Sequence, residues 1–299
     1  MRKPAGLTFA LPPSMGLESL RPVARHLAEV FSDYGFGTVW PCRSYEGLEQ
    51  ALLSGEAHAA WAPPVLCARA EAVGGATILR AVRGGSTTYR SALLCRGERA
   101  IDLKRVDAEG LMPIRAAWVD PRSAAGCMMP RRYLRQRGAN LDAMLEETFL
   151  GSYLACFDAV LEGDADLTAS YVGRRGAGYI DLCGARAAEL RVLAWTEEIP
   201  NDGIAISPAL SPADADQVAL ALAAAFADPQ ISQSLSLALE ADGFEASPPH
   251  CYDAVQALLA EPAPATPSCK RAPRRGSMRR AAANALLGGL RRPLLAPSS

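Results

Sequence analysis

The sequence predicts an α/β protein of two lobes, with mixed sheets flanked by helices and two crossovers that act as hinges. Short apolar strands alternate with amphipathic helices from the first residues onward. A second series of such units begins near residue 113, and further strand and helix patterns follow it. One lobe is therefore built from both ends of the chain, and 299 residues suffice for two cores.

In the first half, an apolar strand at 6–11 precedes a helix at 18–34, whose apolar residues recur at helical spacing. Further elements are predicted in order: strand 37–40, helix 45–53, strand 57–63, helix 65–73, and strands 76–82 and 89–95 around a Gly-rich turn.

The second half continues with strand 113–119, helices 126–136 and 149–161, strands 165–171, 190–195 and 204–207, and helices 212–227, 231–241 and 251–259. Crossovers are expected near 92–96 and 199–206. We expect one lobe from 1–92 with 205–260, a second from 93–204, and a Pro-rich linker with a basic, disordered tail at 261–299.

Charge and cysteine content exclude several classes of protein. The net charge is -1, so no nucleic-acid partner is expected. The tail after Cys269 holds eight basic residues and no acid, and it is a candidate contact for an acidic membrane or partner. Eight scattered cysteines form no CxxC pair. Neither a metal site, a cofactor nor a disulfide framework is expected.

The first residues contain no complete export signal. An apolar stretch at 6–11 is short and ends in Pro12-Pro13, with no cleavage site of small residues. No run approaches the roughly 18 apolar residues of a membrane span. A cytoplasmic location is therefore expected, or a periplasmic one if the true start lies upstream.

The stretch at 118–126 carries the clearest chemical signal. A strand ends, Asp120-Pro121 turns the chain, Ser123 can cap, and a helix begins on Ala124, Ala125 and Gly126. Helix N-termini expose unpaired N–H groups and a positive dipole end, so small residues there allow an anion to reach the backbone. An ordinary capped helix remains the alternative.

Five ordered blocks between residues 5 and 260 resemble a known family. They are Trp61-Ala62-Pro63-Pro64, Thr88-Tyr89-Arg90-Ser91, Asp120-Pro121-Arg122-Ser123-Ala124-Ala125-Gly126 with Pro130, Gly151-Ser152-Tyr153 with 159–166, and Ile199-Pro200-Asn201-Asp202. The family comprises the phosphonate- and phosphite-binding subunits of ABC importers, of the type 2 periplasmic-binding-protein fold. The resemblance implies a small-molecule ligand, an anionic one, and an ABC permease or a signalling partner.

Relative to the pattern that the resemblance implies, this chain has lost polar groups at the anion site. The family's helix start reads Ser-Thr-Ser and its later block Gly-Ser-His, whereas this chain has Ala124, Ala125 and Tyr153. Each hydrogen bond to a charged oxygen contributes about 1.5–3 kcal/mol, so tight phosphonate binding would need other donors. Asp202 matches an acidic residue that faces a ligand amine in some members.

Aromatic side chains are expected to replace those donors and to favour a partly aromatic ligand. Core packing is preferred for Trp118 and Trp195, and a solvated helix face for Arg131, Arg132, Arg135 and Arg137. The predicted ligand-binding set is Tyr45, Trp61, Thr87, Tyr89, Ser91, Ser123, Ala124, Ala125, Gly126, Ser152, Tyr153, Tyr171 and Asp202.

No catalytic set is expected, because His26, His58 and His250 have no acid, cysteine or serine motif beside them. The favoured function is a solute-binding protein of the importer type, or a cytosolic sensor derived from one. Two alternatives stay open. One is a cytosolic enzyme of the same fold, of the menaquinone- or thiamin-pathway type. The other is a scaffold with a vestigial pocket.

Overall fold

Two mixed sheets, one of six strands and one of five, organise the protein. The computed structural model describes residues 6–13, 17–97, 101, 113–173, 178–238 and 241–261. Contacts group 1–265 into one compact unit and 266–299 into another, and the second unit lies outside the described residues. The predicted tail is therefore not described beyond Glu261. No helix in the described ranges is long and apolar enough to cross a membrane.

The N-terminal part alternates strands and helices as the sequence predicts. Its elements are β1 (Leu7–Leu11), α1 (Leu17–Phe31), β2 (Phe36–Pro41), α2 (Tyr45–Ser54), β3 (Ala59–Ala62), α3 (Pro64–Ala72) and β4 (Ala76–Val82). Strand β1 pairs in parallel with both β2 and β3. Ser44 caps α2 by accepting a hydrogen bond from the Gly47 amide at 3.0 Å, and left-handed Gly55 ends the helix.

The middle of the chain builds the five-stranded sheet. Its elements are β5 (Thr88–Arg96), β6 (Ile114–Trp118), a π-helical turn (Ala124–Met128) leading into α4 (Met129–Arg135), α5 (Leu141–Met144), β7 (Leu145–Phe149), α6 (Tyr153–Glu162), β8 (Leu167–Val172), α7 (Tyr179–Cys183), a 3-10 turn (Gly184–Glu189) and β9 (Leu190–Pro200). The strand order is β7-β6-β8-β5-β9.

The chain then returns to complete the six-stranded sheet. The last elements are β10 (Gly203–Ile206), α8 (Pro212–Ala227), α9 (Pro229–Ala238), β11 (Gly243–Ala246) and α10 (Asp253–Leu259). Strand β10 lies between β3 and β4 and is antiparallel to both, giving the order β11-β4-β10-β3-β1-β2. One sheet is thus formed by both ends of the chain, and the fold class predicted from the sequence is confirmed.

The first change of sheet differs in position from the prediction. The chain leaves the six-stranded sheet after β4 and enters the other at β5, so it crosses within 83–87 and not near 92–96. Gly84 and Gly85, with φ of 60° and 71°, make the turn that only glycine adopts readily. The return lies at 201–202, within the predicted range. The two lobes as separately moving bodies remain a prediction.

Apolar side chains pack on both faces of each sheet. Phe9, Phe31 and Phe36 are fully buried, and their ring centroids lie 5.2–6.2 Å apart. Trp118 is also fully buried, as predicted, and donates its Nε1–H to Glu147 at 2.6 Å. The prediction for Trp195 is wrong, because that side chain is 45% exposed: it points outward from β9, next to a buried Thr196.

Candidate ligand site between the sheets

The turn at residues 123–126 is held in place from two sides. The Ser123 Oγ accepts a hydrogen bond from the Gly126 amide at 3.0 Å. Ser91, fully buried in β5, donates its hydroxyl to the Ala125 carbonyl at 2.6 Å. A Cβ at Gly126 would lie 2.7 Å from the Ser123 Oγ and 2.9 Å from Val119, so glycine is required there. Ser91 and Ser123 thus position the backbone of the turn.

The backbone hydrogen bonds of this turn follow the pattern of a helix start. The amides of Cys127 and Met128 donate to the Ser123 carbonyl at 3.1 and 2.9 Å. The preceding N–H groups, those of Ala124 and Ala125, belong to the first turn, whose donors have no acceptor within the helix. These two donors lie where the sequence predicts a backbone cradle for an anion, and that role remains a prediction.

A tyrosine cluster, Tyr45, Tyr89, Tyr153 and Tyr171, adjoins this turn. Tyr153 begins α6, and its ring lies 5.3 Å from that of Tyr171 in an edge-to-face arrangement. Burial raises the pKa of Tyr153 well above its ordinary value, a hydrogen bond with Ser123 opposes the rise, and nearby Tyr171 and Tyr45 add to it. Because Tyr45 begins α2 and Tyr153 begins α6, the cluster joins both halves of the fold.

Tyr89 connects the cluster to the crossovers. Burial raises the pKa of Tyr89 well above its ordinary value, Asp202 and Tyr153 raise it further, and Arg83 opposes them. Asp202 accepts a hydrogen bond from the Arg83 Nη2 at 2.9 Å. The carboxylate expected to face a ligand amine is therefore paired with an arginine of the chain itself.

Three other residues of the predicted ligand-binding set make contacts within the protein that stabilise the fold itself. Trp61 is 3% exposed and packs edge-to-face on Phe244 at 5.8 Å in the core of the six-stranded sheet. Ser152 caps α6 by accepting from the Ala155 amide at 3.2 Å. The Thr87 carbonyl accepts the Asn201 amide hydrogen at 2.8 Å. We leave Trp61 and Ser152 out of the proposed site.

The turn is packed against the six-stranded half by apolar contacts. Ala124, Ala125 and Met129 are buried in the same hydrophobic cluster as Ala10 and Cys42. Trp40, Tyr89, Met128 and Tyr171 pack against that cluster and are partly buried. At this turn, alanine methyl groups stand where the resemblance implies hydroxyl groups.

Sequence reasoning missed the role of Arg83. Its guanidinium pairs with Asp202 and lies 5.5 Å from the centroid of the Trp61 ring. The only sequence signal is a basic residue beside the Gly84-Gly85 turn, and its partner is 119 residues away.

The predicted solvated face of α4 is wrong: Arg131 is 2% exposed, and Arg132 and Arg135 pair with Glu261.

Replacing Ser123 by alanine should destabilise the protein modestly. The substitution removes the acceptor of the Gly126 amide, and loss of an N-cap costs about 1 kcal/mol. Urea denaturation followed by circular dichroism measures the difference. The same substitution at Ser236, which lies within α9, is the matched control. Equal unfolding free energies for wild type and Ser123→Ala would contradict the capping role.

The fold and this site together define a solute-binding protein of the periplasmic-binding-protein type. Residues 11–252 match the sequence profile of a family described as ABC transporter, phosphonate, periplasmic substrate-binding protein. The chain belongs to that family. No curated protein is similar enough in sequence to be counted as a relative.

Solved structures show the same fold at low sequence identity. XAC2383 from Xanthomonas citri, bound to ATP, is 17% identical with a TM-score of 0.64, covering 85% of this chain and 95% of that one. A phosphonate transporter binding protein from Pseudomonas aeruginosa, PA3383, is 19% identical with a TM-score of 0.63, covering 85% of each chain. PhnD1 from Prochlorococcus marinus, bound to methylphosphonate, is 15% identical with a TM-score of 0.60, covering 85% and 97%.

Proposed function

We propose that this solute-binding protein takes, between its sheets, a ligand with an anionic head and an aromatic or apolar body. The head accepts hydrogen bonds from the amides of Ala124 and Ala125 and from the hydroxyls of Tyr89 and Tyr153. The body packs on the tyrosine rings. The observation that carries the proposal is the convergence of four tyrosines, from elements of both halves of the fold, beside the capped turn.

The protonation of the tyrosines supports their role as donors. Burial raises the pKa of Tyr89 and of Tyr153, so both phenols keep their protons at neutral pH and above. A neutral phenol donates one hydrogen bond to an oxyanion and brings an apolar ring with it. This combination compensates in part for the hydroxyl groups absent at Ala124 and Ala125, and it favours a ligand with a ring or chain over a bare oxyanion.

The buried cysteine thiols are not activated as nucleophiles, which agrees with binding without catalysis. Burial raises the pKa of Cys67 and of Cys127 to about 12, and that of Cys156 to about 11. Such thiols are protonated at neutral pH, and the thiolate is the nucleophile. The His58 Nδ1 lies 2.5 Å from the Thr8 hydroxyl and ties β1 to the residue before β3. We therefore propose no reaction at this site.

An ABC permease is the proposed partner, by analogy with the family to which the chain belongs. The permease would receive the ligand from the ligand-bound protein. The cytoplasmic location expected from the sequence remains a prediction, since the family is described as periplasmic.

We expect phenylphosphonate to bind more tightly than methylphosphonate, because its ring can pack on the tyrosine cluster. A ligand at about 100 times its dissociation constant stabilises a protein by about 2.7 kcal/mol, which a thermal shift detects.

Replacing Tyr153 by phenylalanine keeps the ring and removes the hydroxyl, and calorimetry should show about tenfold weaker binding. The matched control is Tyr133→Phe, because Tyr133 stacks on Arg137 outside the cluster. Equal affinities for Tyr153→Phe and wild type would contradict the site.

A scaffold with a vestigial pocket is the second candidate. The burial of Ala124, Ala125 and Met129 in an apolar cluster with Ala10 favours it, because a ligand would have to separate these groups. Under this alternative, no phosphonate, phosphite, sulfonate or aromatic carboxylate changes the melting temperature. A shift with any of these compounds that Tyr153→Phe diminishes excludes the scaffold.

A further inference from the structure

A cavity lies outside the tyrosine cluster and is lined by residues of α3, α4 and α10. Its volume is about 230 Å³. Its charged lining consists of Arg69, Arg122, Arg131, Arg135 and Glu261. Four guanidinium groups therefore share a small cavity with one carboxylate, and none of the four tyrosines lines it. We call it the arginine cavity.

Arg131 is the buried charge of the arginine cavity. Its side chain is 2% exposed, and its Nη1 pairs with the Glu147 carboxylate, which also accepts the Trp118 Nε1–H at 2.6 Å. Among the described residues, the Arg131 Nη2 has no hydrogen-bond partner. Buried charged donors are costly to leave unsatisfied. The guanidinium is thus held by Glu147 through Nη1, and its Nη2 is an unused donor of a residue that lines the cavity.

The other cations of the cavity differ in how they are engaged. Arg69 pairs with Glu49, and Arg135 pairs with Glu261 at 2.6 Å. The Arg122 residue is exposed, and its backbone amide donates to the Asp120 side chain at 2.7 Å. Because Arg122 forms no ion pair with another described residue, its guanidinium can reach a ligand without breaking one.

Apolar side chains complete the arginine cavity. Met128, Leu258 and Leu259 line it together with Pro121 and Cys127. Burial raises the pKa of the Cys127 thiol to about 12, so this group is neutral and adds no charge. A ligand that fits both parts of the lining has a compact negative head and a short apolar body.

We propose that the arginine cavity binds a small amphiphilic oxyanion, a carboxylate or a phosphate carried on a short aliphatic chain. The head accepts hydrogen bonds from the Arg131 Nη2 and from Arg122, and the chain lies on Met128, Leu258 and Leu259. Because residues of both α4 and α10 line the cavity, the bound anion bridges the two halves of the fold.

Calorimetric titration with hexanoate, inorganic phosphate and neutral hexanamide tests this proposal. We expect hexanoate to bind most tightly, phosphate to bind more weakly, and hexanamide not to bind. Arg122→Gln should weaken hexanoate binding about tenfold, as expected for loss of one charge-assisted hydrogen bond. Leu259→Trp should abolish it by filling the cavity. Arg186→Gln, an exposed arginine that pairs with Asp158 elsewhere, is the matched control.

The outcome also separates the two sites. Tyr153→Phe should leave hexanoate affinity unchanged, whereas it weakens phenylphosphonate binding at the tyrosine cluster. The proposal is overturned if neither anion binds at millimolar concentration, if hexanamide binds as well as hexanoate, or if both Arg122→Gln and Leu259→Trp bind hexanoate as wild type does. Hexanoate binding that Tyr153→Phe weakens and Arg122→Gln leaves unchanged would place this ligand at the tyrosine cluster and overturn the proposal.

Discussion

Replacing Gly203 by alanine is expected to destabilise the protein by about 3 kcal/mol, because the added methyl group has no room on any side. A Cβ at this position of β10 would lie 2.4 Å from the Thr77 Cγ2, 2.8 Å from the Leu79 carbonyl oxygen and 2.8 Å from the Tyr252 hydroxyl. The Leu79 oxygen is backbone of the adjacent strand and cannot turn aside. Urea denaturation monitored by circular dichroism gives the change in unfolding free energy.

Gly243→Ala is the matched control, since Gly243 lies in strand β11 of the same sheet and a Cβ there meets nothing within 4 Å. We expect its unfolding free energy to stay within about 0.5 kcal/mol of wild type. Equal stability of the two alanine variants would contradict this account, because it would show that close packing at the return crossover does not require glycine at residue 203.

Asn201→Leu is expected to lower the free energy of unfolding by a comparable amount, about 2–4 kcal/mol. The side chain is 2% exposed, and its Nδ2 donates to the carbonyl oxygens of Ala81 and Ser86, each at 2.9 Å. Leucine of similar volume removes both hydrogen bonds. The Ala81 carbonyl loses this donor at a cost of about 1–3 kcal/mol, and the Ser86 carbonyl, which keeps the Arg83 amide as a donor, loses about 1 kcal/mol. Asn201 therefore joins the two crossovers. Because Tyr89 follows Ser86 by only three residues, loss of the Asn201 side chain should also weaken phenylphosphonate binding.

Tyr252→Phe provides the graded comparison. The Tyr252 hydroxyl donates to the Asn201 carbonyl at 2.7 Å, so phenylalanine removes one hydrogen bond and leaves the Asn201 side-chain bonds intact. We expect a loss of about 1 kcal/mol, clearly smaller than for Asn201→Leu. A larger loss for Tyr252→Phe than for Asn201→Leu would show that the amide side chain does not hold the crossovers together.

The fold could be predicted where periodicity was strong and uninterrupted. Helices α2 and α8 were predicted within one residue of their observed ends, because both carry a serine cap and a continuous apolar stripe. Strand β7 was missed. Its residues Leu145–Phe149 lie at the edge of the five-stranded sheet, alternate between half-buried and exposed, and include two glutamates, which are uncommon in strands.

Strand β11 was missed for a related reason. With four residues at a sheet edge, Gly243–Ala246 is too short for alternation to be read, and it exists because it pairs with β4, which lies far away in the sequence. Its Phe244 contributes to the core beneath Trp61. Pairing between distant segments is thus the information that the local pattern lacked.

The site could be predicted only in part from the sequence. The capped turn at 123–126 lies at a strand-to-helix boundary, as the residue types indicate. Tyr45 and Tyr153 could be named as candidates, yet only the fold brings α2 and α6 together. The pairing of Asp202 with Arg83 and the burial of Arg131 depend on contacts across the two sheets, and no local pattern encodes them.

A crystal structure of the protein with phenylphosphonate tests the central proposal most directly. We predict that the phosphonate oxygens lie about 2.7–3.2 Å from the backbone nitrogens of Ala124 and Ala125, with the phenyl ring against Tyr153 and Tyr89. A phosphonate bound in the arginine cavity alone, or no bound ligand at saturating concentration, would contradict a ligand site between the sheets.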